Sequence, residues 1–156
     1  MKGNDPALRV IATNRKALFH YHILDRVEAG ISLLGTEVKS IREGGLSFAD
    51  GYVDFRNGEL LLVGLHIAPY SHGNLQNHPE DRPRKLLLHR REIARFGVKI
   101  AERGLTMVPL RAYFRNGRVK MELGLARGKQ THDKREALKR REVEREARQA
   151  LHRRGE

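Results

Sequence analysis

Two Asn-Gly pairs constrain the fold of this chain more than any other feature of its sequence. Each pair lies between two apolar-rich runs: 52–55 and 59–63 flank Asn57-Gly58, and 106–114 and 118–123 flank Asn116-Gly117. A two-residue hairpin turn needs positive φ angles, which Asn and Gly adopt most readily. The sequence therefore predicts two antiparallel β-hairpins.

The strand expected after Asn116-Gly117 alternates between apolar and charged residues, as a half-buried strand does. Lys120 and Glu122 are expected to point outward. The residues expected to face the core are Val119, Met121, Leu123 and Leu125. A further strand is predicted over the aromatic-rich run Ala17–Ile23.

Helical signals are fewer. An apolar stripe at helical spacing predicts a helix through Ile93, Phe96, Ile100 and Ala101. Gly97 interrupts this stripe, so two short helices are an alternative to one, and Gly104 is expected to end it. The run Thr36–Arg42 fits either a short helix or a strand, and Pro69–Arg84 is predicted to be a loop.

Five or six short strands with few helices predict a mainly β protein. A small closed β-barrel of the oligonucleotide-binding (OB) type fits this pattern best, and a two-layer α+β sandwich is the alternative. We divide the chain into a flexible N-terminus over 1–13, an OB-like RNA-binding barrel over 14–126 and a basic C-terminal tail over 127–156.

The charge balance indicates a polyanionic partner. The chain carries 31 Lys and Arg against 19 Asp and Glu, a formal net charge of +12. A membrane surface is disfavoured because the longest apolar stretch, Leu60–Leu65, is far too short to span a bilayer. Residues 1–13 lack a secretory signal, and the absence of cysteine excludes disulfides. A cytoplasmic RNA-binding protein is therefore expected.

Signatures of catalysis are missing from the sequence. It contains no Gly-rich phosphate loop, no HExxH, no GxSxG and no acidic cluster with metal-ligand spacing. His20 and His22 are two residues apart and would share one strand face, but no third metal ligand is near them. We expect no enzyme activity, no cofactor and no metal site.

The tail differs in character from the body. From Arg127 to Glu156 it has 11 basic and 6 acidic residues and no aromatic residue. A helix over Glu136–His152 is favoured by the i, i+4 pairs Glu136–Arg140 and Glu144–Arg148. Its apolar side is small, so the tail is predicted to be disordered in the free protein and helical on a partner.

Basic runs lie at two places in the body. One is Asn14-Arg15-Lys16, and the other is Arg82-Pro83-Arg84-Lys85, ahead of an apolar run. Lys and Arg side chains neutralise phosphates, so Arg15, Lys16, Arg84 and Lys85 are predicted to bind RNA.

Several blocks of the sequence resemble one family, that of the small tmRNA-binding proteins of bacterial trans-translation (small protein B, or SsrA-binding protein). The resemblance covers Asn14 to Arg135 and is specific because all blocks occur in the family's order and spacing. The blocks are Asn14–Ala17, Glu28–Ile31, Gly35–Ser40, Arg84–Leu88, Gly124–Lys129 and His132–Arg135.

The resemblance implies an OB-type barrel that binds the tRNA-like domain of tmRNA and delivers it to stalled ribosomes. The tail would probe the empty mRNA channel of the small subunit. Alanyl-tRNA synthetase and elongation factor Tu would be partners indirectly, through tmRNA. The alternative function is a non-specific RNA-binding ribosomal or RNA-chaperone barrel.

By matching position, the resemblance implies RNA contacts at Asn14, Glu28, Leu87, Lys120 and Lys129. Glu28 would accept hydrogen bonds from base amino groups or orient a basic neighbour, whereas the apolar character of Leu87 favours the core. In the tail, the resemblance assigns the decoding centre and mRNA channel to His132, Asp133, Lys134, Arg135, Lys139, Arg140 and Leu151. Two departures are Gln130, where the family often has a second Lys, and a far end without a bulky apolar pair.

Overall fold

The computed structural model of the chain describes residues 8–72, 77–101, 105–129 and 131–154, and within the last range the side chains of residues 138–151. The elements in chain order are β1 (Leu8–Thr13), α1 (Arg15–His20), β2 (Tyr21–Ile31), α2 (Gly35–Arg42), β3 (Leu46–Arg56), β4 (Glu59–Ile67), β5 (Arg84–Leu87), α3 (Arg90–Ala101), β6 (Leu105–Arg115), β7 (Arg118–Gly128) and α4 (Thr131–Arg154). The prediction of a mainly β protein with short helices in its body is confirmed.

The strands form one antiparallel sheet in the order β1-β6-β7-β2-β5-β4-β3. Within the described ranges no backbone pairing joins the two edge strands β1 and β3, so the predicted closure into a barrel is not confirmed. The sheet nevertheless folds over on itself, because Gly51 of β3 lies against Pro109 of β6. A Cβ atom at Gly51 would lie 3.4 Å from Pro109 Cγ.

Both predicted hairpins are confirmed. Asn57 and Gly58 have φ angles of 50° and 75° between β3 and β4, and Asn116 and Gly117 have 51° and 77° between β6 and β7. The two turns hold Arg56 opposite Glu59 and Arg115 opposite Arg118. Local turn chemistry therefore sets the register of four of the seven strands.

The core lies between the folded sheet and α3. As predicted, the apolar positions of β7 are buried, and Phe96 of α3 is also buried against them. α3 is one continuous helix despite Gly97. The glycine leaves room for the ring of Phe55, since a Cβ atom there would lie 3.2 Å from two ring carbons. Gly104 lies outside the described residues.

The start of the chain differs from the prediction. Leu8–Thr13, assigned to a flexible segment, form β1 and pair with β6, while residues 1–7 lie outside the described ranges. The strand predicted from Ala17 begins only at Tyr21, because α1 comes first. Asn14 caps this helix, because its Oδ1 accepts from the Ala17 N–H at 3.2 Å in the first turn.

The tail forms the helix α4, which begins five residues before Glu136, and the disorder of the free tail stays a prediction. α4 is not isolated: the Arg141 guanidinium lies 4.8 Å from the centroid of the Phe19 ring on α1. The predicted Glu144–Arg148 pair is present at 3.9 Å, whereas the Glu136 side chain lies outside the described part. No helix of the described ranges is both long and apolar enough to cross a membrane.

Candidate nucleic-acid interface

Three of the predicted RNA contacts meet on one outer face of the sheet. Gly30 of β2 lies opposite Leu87 of β5 on one side and opposite Lys120 of β7 on the other. Glu28 is two residues from Gly30, and side chains at cross-strand and i, i+2 positions share a face. The strand face, as we name it, consists of Arg26, Glu28, Leu87, Arg111, Tyr113, Arg115, Arg118, Lys120 and Glu122.

Carboxylates hold three of the four arginines of the strand face in place. Glu122 accepts from Arg26 Nη1 at 3.0 Å and from Arg111 Nη2 at 3.2 Å. Glu28 pairs with Arg115 Nε at 3.1 Å and accepts a hydrogen bond from the Tyr113 hydroxyl. Five basic and two acidic side chains share the face, so it keeps a positive balance suited to phosphates.

Tyr113 lies at the centre of these contacts and is itself buried. The guanidinium carbons of Arg111 and Arg115 lie 5.1 Å and 5.7 Å from its ring centroid. Burial, and then the Glu28 carboxylate, raise the pKa of Tyr113 to about 12. The hydroxyl therefore stays protonated at neutral pH and acts as a donor to Glu28.

Leu87 points outward, so the expectation that it lies in the core is wrong. Its side chain is 50% exposed, and the neighbouring Leu86 takes the core position. Leu87 covers Gly30, where a Cβ atom would lie 3.2 Å from Leu87 Cβ. An exposed leucine between charged neighbours is an apolar contact available to a base or ribose.

A second group of predicted residues surrounds α1. A cleft of about 490 Å³, which we call the α1 cleft, is lined by side chains that include Lys16, Tyr21, Tyr52 and Lys129. Lys16 pairs with Asp50 at 2.9 Å, and this hydrogen bond holds the pKa of Asp50 below its usual value. The cleft lies near Gly128, eight residues along β7 from Lys120, or about 26 Å away.

Asn14 lies at the floor of the α1 cleft and is only 6% exposed. Its Nδ2 donates to the Pro109 carbonyl at 2.8 Å, and its Oδ1 caps α1. Its amide thus makes one hydrogen bond on each side and links α1 to β6, and its contact with RNA stays a prediction. Arg15 and Lys16 beside it are exposed.

Arg84 cannot contact RNA, which corrects the second prediction from the basic runs. Its side chain is fully buried, its Nε donates to Glu37 at 2.7 Å and its Nη1 donates to the Leu65 carbonyl at 2.6 Å. Burial alone would raise the pKa of Glu37, but hydrogen bonds from Arg82, the Leu34 N–H and Arg84 lower it. The neighbouring Lys85 is exposed and pairs with Glu59 at 3.2 Å.

The predicted tail residues all lie on α4. The side chains of His132, Asp133, Lys134 and Arg135 lie outside the described part, as does the whole of Gln130. Lys139 and Arg140 are exposed, and Leu151 is 69% exposed. Their contacts with the ribosome remain predictions.

The two histidines weighed as metal ligands belong to different elements. His20 ends α1 and His22 lies on β2, so the expected common strand face is wrong. Across the described ranges, no three His, Asp or Glu side chains are placed to hold a metal ion.

Sequence reasoning missed several members of the strand face. On β7, Arg118 and Glu122 lie two residues to either side of Lys120, so the three share one face. On β6, Arg111, Tyr113 and Arg115 have the same spacing. The alternation that places Lys120 outward thus applies to them as well. Their ion pairs across strands were not visible in the sequence.

Comparisons with known proteins agree on one family. The family model described as SmpB protein matches residues 11–153. A relative from Mycolicibacterium vanbaalenii, an SsrA-binding protein, is 55% identical over 146 residues, which are 94% of this chain and 88% of the relative. The SsrA-binding protein of Solidesulfovibrio magneticus is 48% identical over 151 residues, which are 97% and 98% of the two chains.

A solved structure is also similar. It is described as "tmRNA-SmpB: a journey to the center of the bacterial ribosome", and its matching chain has a TM-score of 0.66 and 47% sequence identity. The match covers 81% of this chain and 93% of that chain.

Proposed function

The chain belongs to the SmpB protein family, and from this premise we propose that it binds tmRNA and acts with it on the ribosome in trans-translation. The observation that carries the proposal is the strand face, where Glu28, Leu87 and Lys120 meet among arginines in fixed positions. Relatives at about half identity over nearly the whole chain are SsrA-binding proteins.

In this proposal the tRNA-like domain of tmRNA lies on the strand face. Arginines and Lys120 contact phosphates and fix the register, while Glu28 and Leu87 contact bases or ribose. The exposed lysines of the α1 cleft, Lys16 and Lys129, supply a second basic surface at the other end of β7. RNA would thus cross the face of the sheet as it does in an OB-type barrel, and this binding does not require the sheet to be closed.

The tail has a separate role in the same proposal. α4 probes the empty mRNA channel after His132–Arg135 have reached the decoding centre. Alanyl-tRNA synthetase and elongation factor Tu join as partners through tmRNA. The protein works in the cytoplasm as a binding factor, and the chemistry belongs to its partners rather than to a catalytic group of its own.

The test is binding to the tRNA-like domain of a bacterial tmRNA at near-physiological salt, with excess ordinary tRNA as competitor. We expect tight binding that survives the competitor. Binding that the competitor abolishes would instead favour the alternative, a non-specific RNA-binding ribosomal or RNA-chaperone barrel. Affinities are compared at one fixed salt concentration because phosphate contacts make them salt-dependent.

Removal of the tail separates the two roles. A chain truncated after Lys129 should keep binding to the tRNA-like domain, because the strand face, the whole of β7 and the α1 cleft lie within the remaining residues. It should fail to support tagging of incomplete proteins on stalled ribosomes. Normal tagging by the truncated chain would contradict the role assigned to α4.

A further inference from the structure

Glu28 is exposed on the strand face, yet its carboxylate is held on one side only. The Tyr113 hydroxyl and Arg115 Nε both reach the same oxygen, Oε2, the latter at 3.1 Å. Among the described residues no hydrogen bond or ion pair is made to Oε1. One carboxylate oxygen is thus anchored by the protein, and because the side chain is 37% exposed, the other oxygen is left as an acceptor for a ligand.

The Tyr113 side chain, which anchors Glu28, is itself packed among other groups. Its ring is buried and lies between the guanidinium groups of Arg111 and Arg115. Arg111 is in turn paired with Glu122 at 3.2 Å. Since the pKa of Tyr113 is raised to about 12, its hydroxyl donates to Glu28 throughout the physiological pH range.

We propose that Tyr113 is a positioning residue that fixes the Glu28 carboxylate so that Oε1 accepts an N–H donor from an unpaired RNA base. The proposal deepens the proposed function and rests on it. A carboxylate repels phosphate, so a nearby RNA group must offer a hydrogen-bond donor. Exocyclic amino groups and the N1–H of guanine are such donors on a base edge.

The charges around Glu28 explain how this contact would make RNA binding specific. Arginines and Lys120 attract any RNA through phosphates, which carries no sequence information. Glu28 is unfavourable to every RNA that places a phosphate at this point and favourable to one that places a base edge there. Discrimination then comes from a repulsive element as well as an attractive one.

The test is a double-mutant cycle on the full chain, with the tRNA-like domain of tmRNA as probe and ordinary tRNA as the non-specific reference. The variants are Tyr113→Phe, Glu28→Ala and their combination, and Tyr70→Phe is the matched control for loss of a hydroxyl elsewhere. We expect Glu28→Ala to weaken binding to the tRNA-like domain by about tenfold and Tyr113→Phe by about fivefold. Binding to ordinary tRNA should become tighter in Glu28→Ala, because the repulsion of phosphate is lost, and should not weaken in Tyr113→Phe.

The combination decides whether Tyr113 acts through Glu28. If it does, the double variant binds no more weakly than Glu28→Ala alone. Losses that multiply would mean that Tyr113 acts on the fold, and the proposal would be overturned. Thermal unfolding of each variant checks the fold. Glu28→Gln keeps the shape of the exposed side chain and leaves residue 113 unchanged, so it tests the role of the Glu28 carboxylate as an acceptor.

A 2′-deoxy-substituted tRNA-like domain distinguishes the donor. The penalty of Glu28→Ala should persist on this probe if a base N–H is read. Its disappearance would identify a ribose hydroxyl and overturn the proposal. If the wild-type chain itself does not prefer the tRNA-like domain over tRNA, the proposed function fails instead, and the two failures are told apart.

Discussion

The strand face and α4 are both rich in basic residues, but they hold their charges in different ways. On the strand face, Glu122 fixes Arg26 and Arg111 at 3.0 and 3.2 Å, and Glu28 fixes Arg115. On α4, the Glu144–Arg148 pair is 3.9 Å apart, and its side chains are 67% and 81% exposed. A fixed array can recognise one RNA geometry, whereas exposed charges on a helix can adapt to several.

The strand face and α4 also differ in the contacts that hold them to the rest of the protein. Under the sheet, β5 is anchored by the buried Arg84–Glu37 pair, which joins it to α2 and to the β4 carbonyl of Leu65. α4 has a single described aromatic contact with the body, through Phe19. Substitutions should therefore affect stability strongly in the first region and weakly in the second.

The largest effect is expected for Glu37→Ala. Its removal leaves the guanidinium of Arg84 buried without its carboxylate, so the free energy of unfolding should fall by about 3–5 kcal/mol. Glu144→Ala on α4 is the matched control, and it should change the same quantity by less than about 0.5 kcal/mol. Urea denaturation measures both. Equal effects would remove the distinction drawn between the two regions.

A pH dependence follows from the same carboxylate. The folded-state pKa of Glu37 lies below its usual value of 4.5, so the unfolded chain binds more protons. The stability that Glu37 contributes is complete above pH 4.5 and is lost as the pH falls through the folded-state pKa. Glu37→Gln, which cannot titrate, should lack this part of the acid destabilisation in urea melts at decreasing pH. Parallel pH profiles for the two proteins would contradict it.

The contrast explains which features the sequence could predict. The hairpin turns are local, so Asn57-Gly58 and Asn116-Gly117 were sufficient. The burial of Arg84 depends on Glu37, 47 residues away, and neither the charge nor the loop-like surroundings of Arg84 indicate that partner. The helix α1 likewise depends on Asn14, whose amide bonds Pro109 across 95 residues.

In the candidate site too, some features follow from the local sequence and others depend on contacts between distant residues. The outward position of Lys120 follows from strand alternation, and Glu28, Leu87 and Lys120 came from the resemblance. The bond between Tyr113 and Glu28 links residues 85 apart, and it depends on a register that only the folded sheet defines. The apolar character of Leu87 predicts a core position, but the sequence does not show which face of β5 is buried.

A smaller effect is expected at Lys120. Lys120→Ala should weaken binding to the tRNA-like domain by about 1 kcal/mol and reduce the salt dependence by about one phosphate contact. Lys139→Ala on α4 is the comparison, and it should leave both quantities unchanged in the absence of ribosomes. Affinities measured over a range of salt concentrations test the difference. A matching loss at Lys139 would place RNA on α4 as well.

The smallest effect concerns the contact between α1 and α4. Phe19→Ala removes the ring that the Arg141 guanidinium approaches at 4.8 Å, a contact worth about 0.5–1 kcal/mol at an exposed site. Release of α4 from the body should then become about two- to fivefold more favourable, and limited proteolysis of the tail should accelerate by a similar factor.

Two further variants test whether the contact between Phe19 and Arg141 holds α4 to the body. Leu18→Ala, at an exposed neighbouring position on α1, is the matched control and should leave the cleavage rate unchanged. Arg141→Ala should reproduce the effect of Phe19→Ala, and the two changes together should give no more than either alone. If the rate is the same in all of these chains, α4 is not held by Phe19, and the two regions differ even more than their side-chain contacts indicate.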